Sequence, residues 1–203
     1  MSNAVAHVCA LWCPDPVTSA VSRLTIPPAG AGSRSVPAGS TARPTGDPKK
    51  RRSRTFAVLA AAISRDLAPH AAILDGEIVR PGEDGRPLFY ELVRSRACGP
   101  FAFYTFDLVW LDGGDLRERA LVERKAALRK LVPLSPQAVR YVEHVASGTK
   151  LFRAICELDM EGIVAKRAEG RYTPEATTWV TIKNAAYSQA AGRRELFDRR
   201  RSR

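Results

Sequence analysis

The sequence predicts an α+β fold: a mixed, largely antiparallel sheet with flanking helices. Three observations carry this. Apolar residues recur at helical spacing in three segments, five or six short segments are rich in β-branched and aromatic residues, and Gly, Pro and Asp turns separate them in mixed order.

The first helix is expected over residues 55–68, TFAVLAAAISRDLA. Phe56, Leu59, Ile63 and Leu67 recur at helical spacing there, with Thr55 as N-cap and Pro69 just past the end. AAILDGEIV then reads as a strand, and RPGEDGR is a turn into a second strand, PLFYEL, a hairpin-like pair. FAFYTFDLVWL is a long strand closed by the turn DGGD. LVERKAALRKLV follows as a helix with Leu121, Leu128 and Val132 on one face, and AVRYVEHV as another strand. GTKLFRAICELD is a short helix striped by Leu151, Ile155 and Leu158. EGIVAKR and TTWVTIKN are the last two strands, separated by the loop AEGRYTPEA. In WVTIKN, alternation puts Trp179, Thr181 and Lys183 on one side and Val180 and Ile182 on the other.

Residues 14–54 are rich in Pro, Gly, Ser, Thr and Ala without periodicity and read as linker-like or disordered, and residues 1–54 as a whole are expected to be a disordered or non-homologous basic segment. The folded domain is expected over residues 55–184 and a basic tail over 185–203. Apolar residues make up 45% of the chain and charged residues 26%, and no apolar run reaches bilayer length, which argues against a membrane protein. MSNAVAHVCALWC lacks the basic start of a signal peptide. The four cysteines show no disulfide spacing, so a cytoplasmic setting is expected. His7, Cys9 and Cys13 fall short of the four ligands of a structural zinc site. The net charge of +11 divides into +6 for residues 1–54 (eight basic, two acidic), +1 for 55–192 (eighteen, seventeen) and +4 for 193–203 (six, two). The excess therefore sits at the two ends, where it suits phosphate contacts without sequence preference or simply solvated termini.

Several residues stand out chemically. Gly76 in LDGEIV interrupts a strand, as at a bulge or a close approach, and leaves Glu77 aimed at whatever approaches; a turn at a strand edge is the plainer reading. Glu161 and Lys166 bracket EGIVAKR, on opposite faces by alternation, and Glu161 with Lys183 could form an ordinary cross-strand ion pair. Taken together, two carboxylates, an aromatic strand around Phe106 and late-strand lysines suit a nucleotide. The carboxylates would hold a hard divalent cation, the ring would stack on a base and the lysines would neutralise phosphate.

LDGEIV, FYTFDLVWLDG, MEGIVAKR and WVTIKN, in this order and at this spacing, resemble the nucleotidyltransferase domain of ATP-dependent DNA ligases, especially bacterial end-joining ligases. The resemblance runs from about Thr55 to Phe197. It implies part of the nucleotidyltransferase fold shared by DNA ligases and mRNA capping enzymes, with ATP and Mg2+ as cofactors, broken duplex DNA as substrate, and other end-joining proteins or a complementing ligase fragment as partners. In that family a lysine in K-x-D-G-x-R attacks the α-phosphate of ATP, and the AMP passes to a DNA 5′-phosphate. By position, Glu77 would contact ribose or metal, Phe106 would stack on adenine, Glu161 would help bind the cation and Lys183 would contact the α-phosphate. Lys166 matches the basic end of its block. None of the seven lysines lies in K-x-D-G-x-R, so the resemblance identifies no catalytic nucleophile here. Thr181 stands where the family's W-x-K-x-K block has its first lysine. The expectation is a ligase-family chain without self-adenylation, whose residues 1–54 are not the family's own N-terminus and which lacks the OB-fold domain. A non-catalytic nucleic-acid binder using the basic ends, and a non-functional product, remain the alternatives.

Overall fold

The computed structural model describes residues 4–9, 24–26, 48–68, 70–85, 87–88, 100–136, 138–173 and 179–188. They belong to two compact units, Ala20–Tyr141 and Met1–Ser19 with Val142–Arg203. Each unit has its own sheet, so the strands expected in one sheet are shared between two.

In the first unit, the helix predicted around residues 55–68 forms as α1 (Pro48–Asp66) and buries Leu59 and Ile63, with Leu67 buried just beyond it. It starts well before Thr55, so Thr55 is a helical residue and not the N-cap. Proline is pre-organised for a first helical position, and the Lys and Arg that follow are good helix formers. The sheet runs β2 (Leu24–Ile26), β3 (Ala72–Val79), β4 (Ala102–Leu111), β5 (Gly114–Asp115), all antiparallel. The predicted strand AVRYVEHV shortens to β6 (Val139–Tyr141), which runs parallel to β4. The Asp66 carboxylate at the end of α1 fixes it there by accepting the Ala138 and Val139 N–H groups at 2.7 and 3.0 Å. The expected partner strand PLFYEL lies outside the described residues from Phe89 on; Pro87 bridges to Pro81. Helix α2 (Leu121–Leu131) forms as predicted, and its Leu128 and Leu131 join Leu59, Ile63, Leu67, Leu74, Phe103, Leu108 and Val139 in the core.

The DGGD turn places Asp112 and Gly113 at φ 45° and 93°, a left-handed conformation in which only Gly and short polar residues are at home. The Asp112 carboxylate accepts the Ala71 N–H at 2.8 Å and meets His70 Nδ1 at 2.7 Å; the His70 bond, then the Ala71 bond, hold its pKa below the ordinary carboxylate range. Arg117 does the same for Asp115, side chain first and backbone second, and lowers its pKa to about 2.

The second unit is a sheet ordered β1 (Ala4–Cys9), β7 (Gly162–Arg167), β8 (Val180–Lys183), with helix α3 (Gly148–Glu157). Ile155 of α3 packs on Ile163 of β7, flanked by Leu151, Phe152 and Met160. Leu158, expected in that stripe, is the C-cap of α3 and is half exposed. β1 and β2 both come from the stretch expected to be linker-like or disordered; their backbones pair with β7 and β3. Among the described residues, no helix is long and apolar enough to cross a membrane.

Candidate functional site

In the first unit, the sequence places a glycine within β3 and an aromatic run in β4, and their register shows why. Asp75 pairs with Asp107 but Gly76 with Thr105, so Phe106 is an extra residue on β4; Val109 is a second, between the Leu74–Leu108 and Ile73–Trp110 pairs. A Cβ on Gly76 would lie 2.5 Å from the Tyr104 carbonyl oxygen and 2.7 Å from Phe103 Cζ, so only glycine admits this approach. The two extra residues keep Phe103, Thr105, Leu108 and Leu111 on the same side as Ala72, Leu74, Gly76 and Ile78, where the core lies. Asp75, Glu77, Tyr104 and Asp107 consequently share the other side. Glu77 is half-buried opposite Tyr104, next to the bulge that carries Phe106. Phe106 is buried, and it is not among the residues of the main core.

Helix α2 grips this bulge. Arg124 Nε and Nη2 donate to the two Asp107 carboxylate oxygens, each at 2.8 Å, with both side chains almost fully buried. Asp107 also accepts the Leu108 N–H at 2.8 Å, and Arg124 Nη1 donates to the Arg119 carbonyl at 2.6 Å. The next helix residue, Lys125, is also buried; its Nζ donates to the Phe106 carbonyl at 3.2 Å and lies 4.9 Å from the Tyr141 ring centroid. Sequence reading missed Arg124 and Lys125, yet a signal was present. Leu121, Arg124, Lys125, Leu128 and Leu131 follow the i, i+3, i+4, i+7 spacing of a buried stripe, so two charged residues occupy core positions of the helix.

In the second unit, β7 and β8 pair Gly162 with Lys183, Ile163 with Ile182, Val164 with Thr181 and Ala165 with Val180. One face therefore carries Val164, Lys166, Thr181 and Lys183, the other Ile163, Ala165, Val180 and Ile182, as alternation predicts. Lys183 is exposed above Gly162, where a Cβ would collide with the Ile182 carbonyl oxygen and lie 3.1 Å from Lys183 Cα. Lys166 is buried, with Nζ 3.7 Å from the Trp179 ring centroid, a cation–π contact; Tyr172 meets the same indole edge-on at 6.4 Å. Glu161 is buried just before β7, and its carbonyl accepts the Asn184 N–H at 2.8 Å. In register it faces Asn184, while Gly162 is the residue opposite Lys183. Asn184 was also missed: its Nδ2 donates to the Met160 carbonyl at 3.1 Å and its Oδ1 accepts the Ala186 N–H at 3.0 Å, latching the end of β8 to the α3–β7 turn. Glu77 and Phe106 are thus neighbours in one unit, and Glu161, Lys166 and Lys183 in the other. Among the described residues, no group of three or more His, Cys, Asp or Glu side chains is gathered to hold a metal ion.

A family model described as ATP dependent DNA ligase domain matches residues 48–183. A DNA ligase of Methanothrix thermoacetophila is 33% identical over an alignment of 129 residues that covers 55% of this chain and 23% of that protein. The multifunctional non-homologous end joining protein LigD of Mycolicibacterium smegmatis is 29% identical over 124 residues, 60% of this chain and 16% of its own length. The chain thus spans less than a quarter of either relative. Among solved structures, the ligase domain of LigD from M. tuberculosis is similar with a TM-score of 0.55 at 30% identity, over 64% of this chain and 43% of that one. A mycobacterial DNA ligase D complexed with ATP and MES is similar with a TM-score of 0.56 at the same identity and coverage.

Proposed function

Because the chain belongs to the ATP-dependent DNA ligase family, through a domain spanning residues 48–183, we propose that it binds ATP and a divalent cation at a ligase nucleotide site but does not adenylate itself. The observation that carries this reading is the split in the family's motifs. The blocks around Glu77, Phe106, Glu161 and Lys183 are all present on β3, β4, β7 and β8, while none of the seven lysines lies in K-x-D-G-x-R.

Phe106 is the residue for the adenine and Lys183 the residue for the α-phosphate, with Lys166 on the same strand face as Lys183. Glu77 is the proposed contact for ribose or cation in the first unit, and Glu161 a proposed carboxylate for the cation in the second; carboxylate oxygens suit Mg2+, which keeps several waters and shares its remaining positions with substrate phosphates. When bound, the cation neutralises phosphate charge. Thr181 gives the Lys183 face one charge fewer than a W-x-K-x-K block would, which weakens its hold on a polyphosphate. DNA is the proposed partner, engaged through the basic ends, and the cytoplasm is the proposed setting, in keeping with the free, exposed thiol of Cys156.

Calorimetric titration of the whole chain with ATP and Mg2+ tests the reading. Saturable binding is expected, weakened roughly tenfold in Lys183→Ala, the scale of one hydrogen bond to a charged group. An affinity for ATP that Lys183→Ala leaves unchanged would remove the phosphate role from this strand face.

A further inference from the structure

We infer that Lys125 is a positioning residue for Phe106: from the buried face of α2 its ammonium holds the carbonyl of the bulge and so sets the ring for a purine base. The inference rests on the stacking role proposed above for Phe106. Phe106 is the extra residue of the bulge, lying between the Asp75–Asp107 and Gly76–Thr105 pairs. Its carbonyl accepts a hydrogen bond from Lys125 Nζ at 3.2 Å.

A lysine is a costly choice for so buried a position, since desolvating an ammonium is unfavourable unless it is well bonded, and an apolar side chain would fill the space at less cost. Only 1% of Lys125 is exposed. The carbonyl bond and the Tyr141 ring at 4.9 Å offset part of that cost, and the bond ties the buried face of α2 to the bulge at Phe106. The adjacent pair repeats the arrangement, with Arg124 fixing Asp107 by two hydrogen bonds. Two consecutive helix residues therefore hold two consecutive strand residues, which restrains the bulge against rotation. Stacking depends on the plane and depth of the ring, so a residue that fixes the bulge contributes to base affinity without touching the base.

The test compares ATP with inorganic tripolyphosphate, which has the phosphates and no base, by calorimetry on the whole chain. Lys125→Met should weaken ATP about fivefold and Phe106→Ala about tenfold, the scale of one base–aromatic stack, and both should leave tripolyphosphate unchanged. The double variant should bind ATP no more weakly than Phe106→Ala alone. Should Lys125→Met not fold, Lys125→Gln, which removes the charge and keeps a polar group, carries the same comparison. Equal weakening of ATP and tripolyphosphate, full additivity in the double variant, or wild-type ATP affinity in the Lys125 variant would each overturn the inference while Phe106→Ala still shows its loss. Unchanged ATP binding in Phe106→Ala would overturn the stacking role itself, and the inference with it.

Discussion

Arg124→Ala should cost the Ala20–Tyr141 unit about 3–5 kcal/mol, the range for breaking a buried ion pair by removing one partner. In the protein, the guanidinium meets both Asp107 oxygens at 2.8 Å, and neither side chain has appreciable solvent contact. Removing it strands a buried carboxylate that keeps the Leu108 N–H, and water cannot replace the lost bonds at full strength. The loss is large against the 5–15 kcal/mol typical of a whole domain, so the variant should melt well below the wild type in urea. The double variant Asp107→Leu, Arg124→Leu should recover part of it, because apolar residues leave no uncompensated charge. A difference of less than 1 kcal/mol between wild type and Arg124→Ala would show that the pair does not hold the bulge.

Gly162→Ala should be the most damaging single-methyl change in the second unit. The added Cβ collides with the backbone carbonyl of Ile182 and lies 3.1 Å from Lys183 Cα, and a backbone atom cannot rotate aside as a side chain can. β8 must shift, which weakens its ladder to β7 and displaces Lys183. Overpacking costs about 1–3 kcal/mol in well-packed sites and more where the neighbour is backbone. The result to measure is the urea midpoint together with the ATP affinity, both of which should fall. Wild-type values for both would mean that β8 does not press on Gly162.

Much of this could be read from the sequence because the signals were local. Leu59, Ile63 and Leu67 announce α1, Leu121 and Leu128 announce α2, and the alternation in WVTIKN assigns each residue of β8 to its observed face. Gly76 was legible as a close approach, although the extra residue of the bulge sits across the ladder at Phe106. Features that depend on distant partners were not legible. β1 and β2 have weak strand patterns of their own and form by pairing with β7 and β3, and β6 is held by the Asp66 carboxylate far earlier in the chain. Arg124 and Lys125 stand at core spacing on α2, but the groups they meet, Asp107 and the Phe106 carbonyl, lie on the strand opposite, which no window on the helix contains. Asn184 likewise gains its role from Met160 and Glu161.

The central claim, a nucleotide site without the family's nucleophile, is tested most directly by incubating the whole chain with ATP labelled at the α-phosphate and a divalent cation, then comparing native filter retention with denaturing electrophoresis. The account predicts label retained on the native protein and lost on denaturation, with no covalent AMP on the chain. A labelled protein band that survives denaturation, formed from ATP and not from ATP labelled at the γ-phosphate, would contradict it.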